Sequence, residues 1–422
     1  MISRVIGGIT IFESFLMATS LVFSAIYDGD FRIDLSTLFK PEYGFTAILL
    51  SVLITFVAGF VPFIIPVSEN RKNIDKTEGF LIVVCSWISL SAFASLPFMF
   101  SGVLPSFTDA FFECMSGLTT TGATVITDVE SISRGVLYWR GMTSWIGGLG
   151  IITIFVSLLP ALGIGGYLLS TVETTGMIRD KIHPKLKETA KRLFAVYIFL
   201  TVACTVALCL CGMSFYDSLL HTFATIPTGG FSTYNTSAQF FSPAMQYVLI
   251  FFMLISSLSF NNLFYIFTIN MKRMSLSEEG RCFLAIVAAS TLYIFVSLLA
   301  SPICDGTTVE KVFRDSLFQV TSLITTTGFA SADYLLWPSH IWLILFLVCF
   351  IGGCSGSTAG GPKVIRYVML VKNCFVELKR QIHPQAVIPV KYDGKSVQRS
   401  TIYSVHAFIV LYMLVFIIGT VL

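Results

Sequence analysis

Thr119-Thr120-Thr121-Gly122 recurs as Thr325-Thr326-Thr327-Gly328, and Thr228-Gly229-Gly230 stands where a third copy belongs. Fifteen residues before Gly122, Gly230 and Gly328 lie Phe107, Phe215 and Phe313; two residues after each Phe is an acid, Asp109, Asp217 or Asp315. One Phe-x-Asp followed by a Thr/Gly turn carries little information, but three at one internal spacing make an internal repeat. The chemistry open to such a turn is that of its backbone. Glycine adopts angles that other residues avoid, so the turn can aim carbonyl oxygens at a common axis. Carbonyls from several loops can then replace the hydration shell of a hard monovalent cation. That task needs no His or Cys ligand, and these turns contain none.

The elements that carry the turns follow from their lengths. Phe107–Leu118, 215–226 and 313–324 are largely apolar but far short of the roughly 20 residues that cross a bilayer, so each reads as a re-entrant half-helix. The three acids fall in the first turns, where negative charge complements a helix N-terminus. Each C-terminus brings a partial negative charge of about half an elementary charge toward the membrane centre. Around them run long apolar segments near 5–27, 44–68, 80–101, 138–162, 190–212, 244–269, 282–301, 341–376 and 401–422. With 422 residues, 55% hydrophobic and only 12% charged, the chain is an all-α polytopic membrane protein rather than a soluble domain. Ten Cys are scattered without a disulfide or zinc pattern.

In order, residues 1–78 form an N-terminal helix pair in which Glu13 receives no role, and in which Pro62 and Pro66 end or kink the second helix. Helix–pore loop–helix repeats follow at 79–170, 190–270 and 281–376. The glycines of Gly147-Gly148-Leu149-Gly150 allow another backbone to approach closely. In the second repeat, Asn261 and Asn262 read as amides bonding across helices. The third repeat departs from the others: Gly352-Gly353-Cys354-Ser355-Gly356-Ser357-Thr358-Ala359-Gly360-Gly361-Pro362 interrupts its last helix. So many glycines cannot sustain a helix, and irregular backbone at membrane depth must lie against protein or a water-filled cavity. Lys363 and Arg366 are expected at the cytoplasmic exit. Residues 400–422 read as the first helix of a fourth, incomplete repeat, whose pore loop would begin some ten residues past Leu422 by third-repeat spacing.

Alternating sides from a cytoplasmic N-terminus places 21 of the 27 Lys/Arg inside, a clear positive-inside bias. The outer side, which includes Arg134 and Arg140, then holds 13 Asp/Glu against 6 bases, a balance that would concentrate cations at an entrance. His183, His221, His340 and His383 read as interfacial or loop residues rather than ligands.

The stretches SFTDAFFECMSGLTTTGATV (106–125), ATIPTGGFST (224–233), LITTTGF (323–329) and FIGGCSGSTAGGPKVIR (350–366) resemble the TrkH/KtrB superfamily of potassium-translocating subunits. The extra N-terminal helix pair places the resemblance on the TrkH side, and it extends over essentially the whole chain. It implies a pseudo-fourfold arrangement of helix–pore loop–helix units around one permeation path. Thr120, Thr121, Gly122, Thr228, Gly229, Gly230, Thr326, Thr327 and Gly328 would line a K+ filter. Gly352, Gly353, Ser355, Gly356, Ser357, Thr358, Gly360 and Gly361 would form an intramembrane gating loop. It further implies a homodimer in the bacterial cytoplasmic (inner) membrane on a TrkA-like cytoplasmic nucleotide-binding ring, with no organic cofactor on this chain and no nucleic acid as partner. The basic stretch 372–399, with Lys379, Arg380 and Lys391, is a docking surface for such a ring or simply follows the positive-inside rule. Two other readings are a non-conducting truncated remnant and an intramembrane serine hydrolase using Ser355 with His406 as base.

Overall fold

The computed structural model describes the chain apart from Met1, 30–32, 42, 65–75, 149, 151–185, 261–262, 264–276, 303–305, 387 and 422. Residues 151–170 of the first repeat, Pro66, Asn261, Asn262 and His183 therefore lie outside the described residues. The described chain is mostly helical, with one two-stranded antiparallel hairpin pairing Lys391 with Ser396 and Tyr392 with Lys395. Helices satisfy their own backbone groups, which is what apolar runs require where water is absent. Six helices among the described residues are long and apolar enough to cross a membrane: Ile2–Asp28, Phe45–Ile64, Leu81–Phe100, Lys191–Leu210, Glu278–Leu299 and Arg399–Val421.

The chain divides into two compact units. The first takes in the described residues within Met1–Thr174, Lys181–Phe252 and Thr327–Ser331, and the second those within Met253–Thr326 and Ala332–Leu422. The division does not follow the repeats, because residues 327–331 group with the first unit.

In the first unit the N-terminal helix Ile2–Phe23 packs along Phe45–Ile64. Gly7 and Gly59 set that approach: a methyl on Gly59 would lie 2.8 Å from the Ile11 amide nitrogen. Small residues let helix backbones meet closely in this way. Asp28 then ties the pair to the first repeat. Its carboxylate accepts from the Ser133 hydroxyl at 2.8 Å and from the Arg134 and Gly135 amides at 2.8 and 3.2 Å. It thus caps the helix Arg134–Gly148 from a distant part of the chain. An Asp28→Ala substitution is expected to cost about 1–2 kcal/mol, the usual worth of a cap; thermal unfolding in detergent measures it, and an unchanged midpoint would remove the anchor.

The same local order occurs three times. The first short helix is Phe107–Leu118, the second Phe215–Thr225 and the third Val309–Ile324, each followed by its Thr/Gly turn. The third begins four residues before the position expected from Phe313. Thr308 caps it, accepting the Lys311 amide at 3.3 Å, and Glu310 pairs with Arg314 at 2.9 Å one turn on. Asp109 and Asp217 lie in first turns as expected, whereas Asp315 falls in the second turn, buried, with Glu310 in the first. Later in the second unit, Ser339–Cys349 and Val364–Ile382 flank the irregular segment 350–363.

Candidate functional site

The three turns share one backbone conformation. Thr120, Thr228 and Thr326 have φ of 54, 58 and 57°, and two residues on, Gly122, Gly230 and Gly328 have φ of 76, 71 and 88°. Positive φ is an outlier for a β-branched residue, and such strain persists only where the surroundings over-determine it. Here the source is the end of the short helix. The Thr120 amide donates to the Gly117 carbonyl at 2.9 Å and Thr121 to Ser116 at 2.8 Å; Thr228 donates to Thr225 at 3.1 Å and Gly229 to Ala224 at 2.8 Å. Thr326 repeats the inner bond, to Leu323 at 3.1 Å. These are Schellman closures with Thr in the place usually taken by Gly. Because the peptide is planar and trans, an amide N–H turned back on the helix sends the carbonyl of the same peptide away from it. The carbonyls of Thr120 and Thr228 therefore point away from their helices.

Within the first unit the turns lie edge to edge. A Cβ added to Gly122 would fall inside the van der Waals shell of the Gly229 carbonyl oxygen, and one on Gly230 inside that of the Thr327 oxygen. Among the described residues nothing lies within 4 Å of a Cβ built on Gly328. Gly122, Gly229, Gly230, Thr327 and Gly328 are thus brought into one series, first turn to second and second to third. Gly147 and Gly148 back that series, since a methyl on either would strike the Leu118 carbonyl or Pro227 respectively. This is the close approach expected of that glycine run.

Behind the turns sits an ion pair that spacing did not reveal. Arg140 and Glu113 are both buried, with Nε to Oε1 at 2.7 Å. The Glu113 carboxylate also accepts from the Thr124 hydroxyl at 2.9 Å and the Val125 amide at 3.0 Å, holding the chain that returns from the first turn. Arg140 donates to the Ser232 carbonyl at 3.1 Å and lies 3.8 Å over the Phe231 ring, holding the return from the second. Arg140 is therefore an interior residue and not a charge of the outer loops. A charge within an apolar stretch was the available signal, but it does not name its partner.

His221 corrects a second expectation. It is fully buried on the second short helix, one ring nitrogen 2.8 Å from the Asp217 carbonyl and the other 3.0 Å from the Ser232 hydroxyl. The Asp217 carboxylate accepts from Thr233 at 2.9 Å and Tyr234 at 3.2 Å, so this acid also fixes the returning chain. Ser237 and Ala238 extend the framework, bonding the Ala330 amide at 3.2 Å and carbonyl at 3.0 Å just past the third turn.

The glycine-rich segment belongs to the second unit and is non-helical as expected. Its backbone is anchored on the end of the helix Pro243–Ser256 and the residues that follow. Cys354 donates to the Ser257 carbonyl at 2.8 Å, Gly356 accepts from the Phe260 amide at 3.0 Å, and the Thr358 hydroxyl donates to Ser256 at 3.1 Å. Gly360 donates to the Thr326 hydroxyl at 2.6 Å, which joins the segment to the strained threonine of the third turn. Gly352 and Gly361 have positive φ and pack on each other, and Gly356 also has positive φ, while Gly353 packs against Ala359. Glu279 accepts from the Ser355 amide at 2.6 Å and the Ile365 amide at 3.2 Å, spanning the break.

Lys363 and Arg366 lie at the end of the segment, at the start of the helix Val364–Ile382. Both are buried; the Lys363 ammonium turns back into the segment, and the Arg366 guanidinium donates to Pro362 at 2.6 Å and stacks 3.8 Å from the Phe408 ring. The Lys363 backbone, at φ 71° and ψ 114°, makes that reversal. Among the described residues no hydrogen bond joins Ser355 to His406, whose ring contacts its own helix at the Ile402 carbonyl, 2.9 Å away.

The family model for the cation transport protein TrkH matches residues 46–422. The Trk system potassium uptake protein TrkH of Halomonas elongata is 37% identical over 99% of this chain and 84% of its own length. Its counterpart in Escherichia coli K12 is 38% identical over 84% of this chain and 74% of its own length. The crystal structure of the potassium transporter TrkH from Vibrio parahaemolyticus superposes with a TM-score of 0.83 at 34% identity, covering 99% of this chain and 84% of that one. A match along nearly the whole chain, in both sequence and fold, places it in a family: the chain belongs to the TrkH family of cation transport proteins.

Proposed function

We propose that this multi-pass membrane protein takes up potassium across the bacterial cytoplasmic membrane. In this reading Thr120–Gly122, Thr228–Gly230 and Thr326–Gly328, the turns of the repeats at 79–170, 190–270 and 281–376, contribute carbonyls to a selectivity filter. Residues 352–361 form the gate of the same path. The observation that carries the reading is the triple recurrence of a strained Thr-x-Gly backbone, stacked turn on turn. Strain kept at three equivalent places calls for a function that needs that shape, and carbonyl rings that strip a cation of water are such a function. The Trk-system names of the relatives give the cation as K+. Transport rather than catalysis follows from a design in which backbone oxygens are the working groups.

The same relatives, as components of a Trk system, suggest a cytoplasmic partner. A TrkA-like nucleotide-binding ring would dock on the basic cytoplasmic side, where Lys379, Arg380 and Lys391 lie, and the chain would act as a homodimer with its N-terminus inside. The test is complementation of cells lacking their own potassium uptake. Gly122→Asp and Gly328→Asp are expected to abolish growth at low potassium while the proteins still reach the membrane; undiminished growth of both would overturn the filter assignment.

A further inference from the structure

Lys363 is 6% exposed, and its ammonium lies 2.6 Å from the Ala359 carbonyl, 3.3 Å from Ser357 and 3.4 Å from Cys354. All three acceptors are backbone oxygens of the glycine-rich segment, and the side chain reaches them only because its own backbone takes the strained conformation given above. A lysine that merely preceded a helix would need neither. Strain of this kind points to function. A primary ammonium and a potassium ion are close in size, and both are satisfied by carbonyl oxygens in place of water. Glu279, bonded to the amides of Ser355 and Ile365 on either side, adds a negative charge beside the same segment.

We propose that the carbonyls of Cys354, Ser357 and Ala359 form a second cation site, distinct from the three Thr/Gly turns, which the Lys363 ammonium occupies as a tethered competitor. In this state the lysine fills the site; when it swings out, a desolvated monovalent cation of potassium size takes its place. Tethering gives the ammonium a high effective concentration, so the filled state dominates until a high concentration of the competing cation displaces it. The proposal deepens the gating role given to 352–361, and it separates from that role because it predicts binding as well as flux.

The test is equilibrium Tl+ binding to the purified full chain in detergent, wild type against Lys363→Met. One additional Tl+ per chain, displaced by K+, is the expected result; an unchanged stoichiometry in a monodisperse variant overturns the site. Should the variant not fold, amine acylation of the wild type read by mass spectrometry decides. Replacing choline with K+ at equal ionic strength should raise labelling of Lys363, while Lys372, which pairs with Glu278, serves as reference. Labelling of Lys363 indifferent to K+ overturns the proposal. Extra Tl+ binding with unaltered 86Rb+ flux would keep the site and remove the gate; altered flux without extra binding would do the reverse.

Discussion

Potassium uptake is expected to fall by at least about two orders of magnitude in a Gly230→Ala variant, the equivalent of roughly 3 kcal/mol at the limiting barrier. Two effects combine at this position. At φ 71° an L side chain is strained, by about 1–2 kcal/mol. Beyond that, the added methyl would occupy space held by the Thr327 carbonyl oxygen, which is backbone and has no rotamer to escape into. The second and third turns must part, and carbonyls that part no longer replace a hydration shell together. Gly328→Ala supplies the control. Its φ of 88° imposes similar strain, but nothing among the described residues lies within 4 Å of the new methyl. Its defect should be the milder of the two. Uptake of 86Rb+ into cells, normalised to protein in the membrane, measures both; equal defects would mean that backbone angle alone matters and the stacking of turns does not.

Removing one partner of the Glu113–Arg140 pair should produce the largest loss of stability. Both groups are buried and each holds a different returning chain. Breaking such a pair leaves an uncompensated buried charge, at a cost of about 3–5 kcal/mol. Arg140→Met and Glu113→Met are each expected to lower the unfolding midpoint steeply. The double variant should recover part of the loss, because no lone charge remains. Recovery stays incomplete, since the Val125 amide and the Ser232 carbonyl lose their partners. A double-mutant cycle in detergent reads the coupling. Single variants within about 1 kcal/mol of wild type would show the pair to be solvated.

The repeat was legible because its signals are local. A half-helix too short to span, a glycine two residues past a threonine, and an acid at the helix start all lie within a short window. The break at 352–361 was equally plain, since its glycines forbid a helix wherever they stand. The extra turn at the start of the third short helix is not legible from the Phe313 spacing, because the Thr308 cap that starts it lies outside the repeat pattern. His221 reads as interfacial from sequence because nothing near it announces Ser232 as its partner. The rule that assigns loop charges carries no information about the carbonyl partners of the Lys363 ammonium, which only the fold supplies.

From sequence alone came the class of protein, the order of its elements and the residues able to present backbone carbonyls. Each of these depends on composition and on spacing along a helix or turn, which neighbours in the chain decide. Tertiary structure alone decided that Gly122 meets Gly229 and Gly230 meets Thr327, that Glu113 and Arg140 brace the returning chains, and that the Lys363 ammonium donates to the carbonyls of Cys354, Ser357 and Ala359. Those contacts join residues far apart in the chain, except at Lys363, where a strained backbone reverses the side chain. Whether a charge faces water or a buried partner is set by what the fold brings beside it.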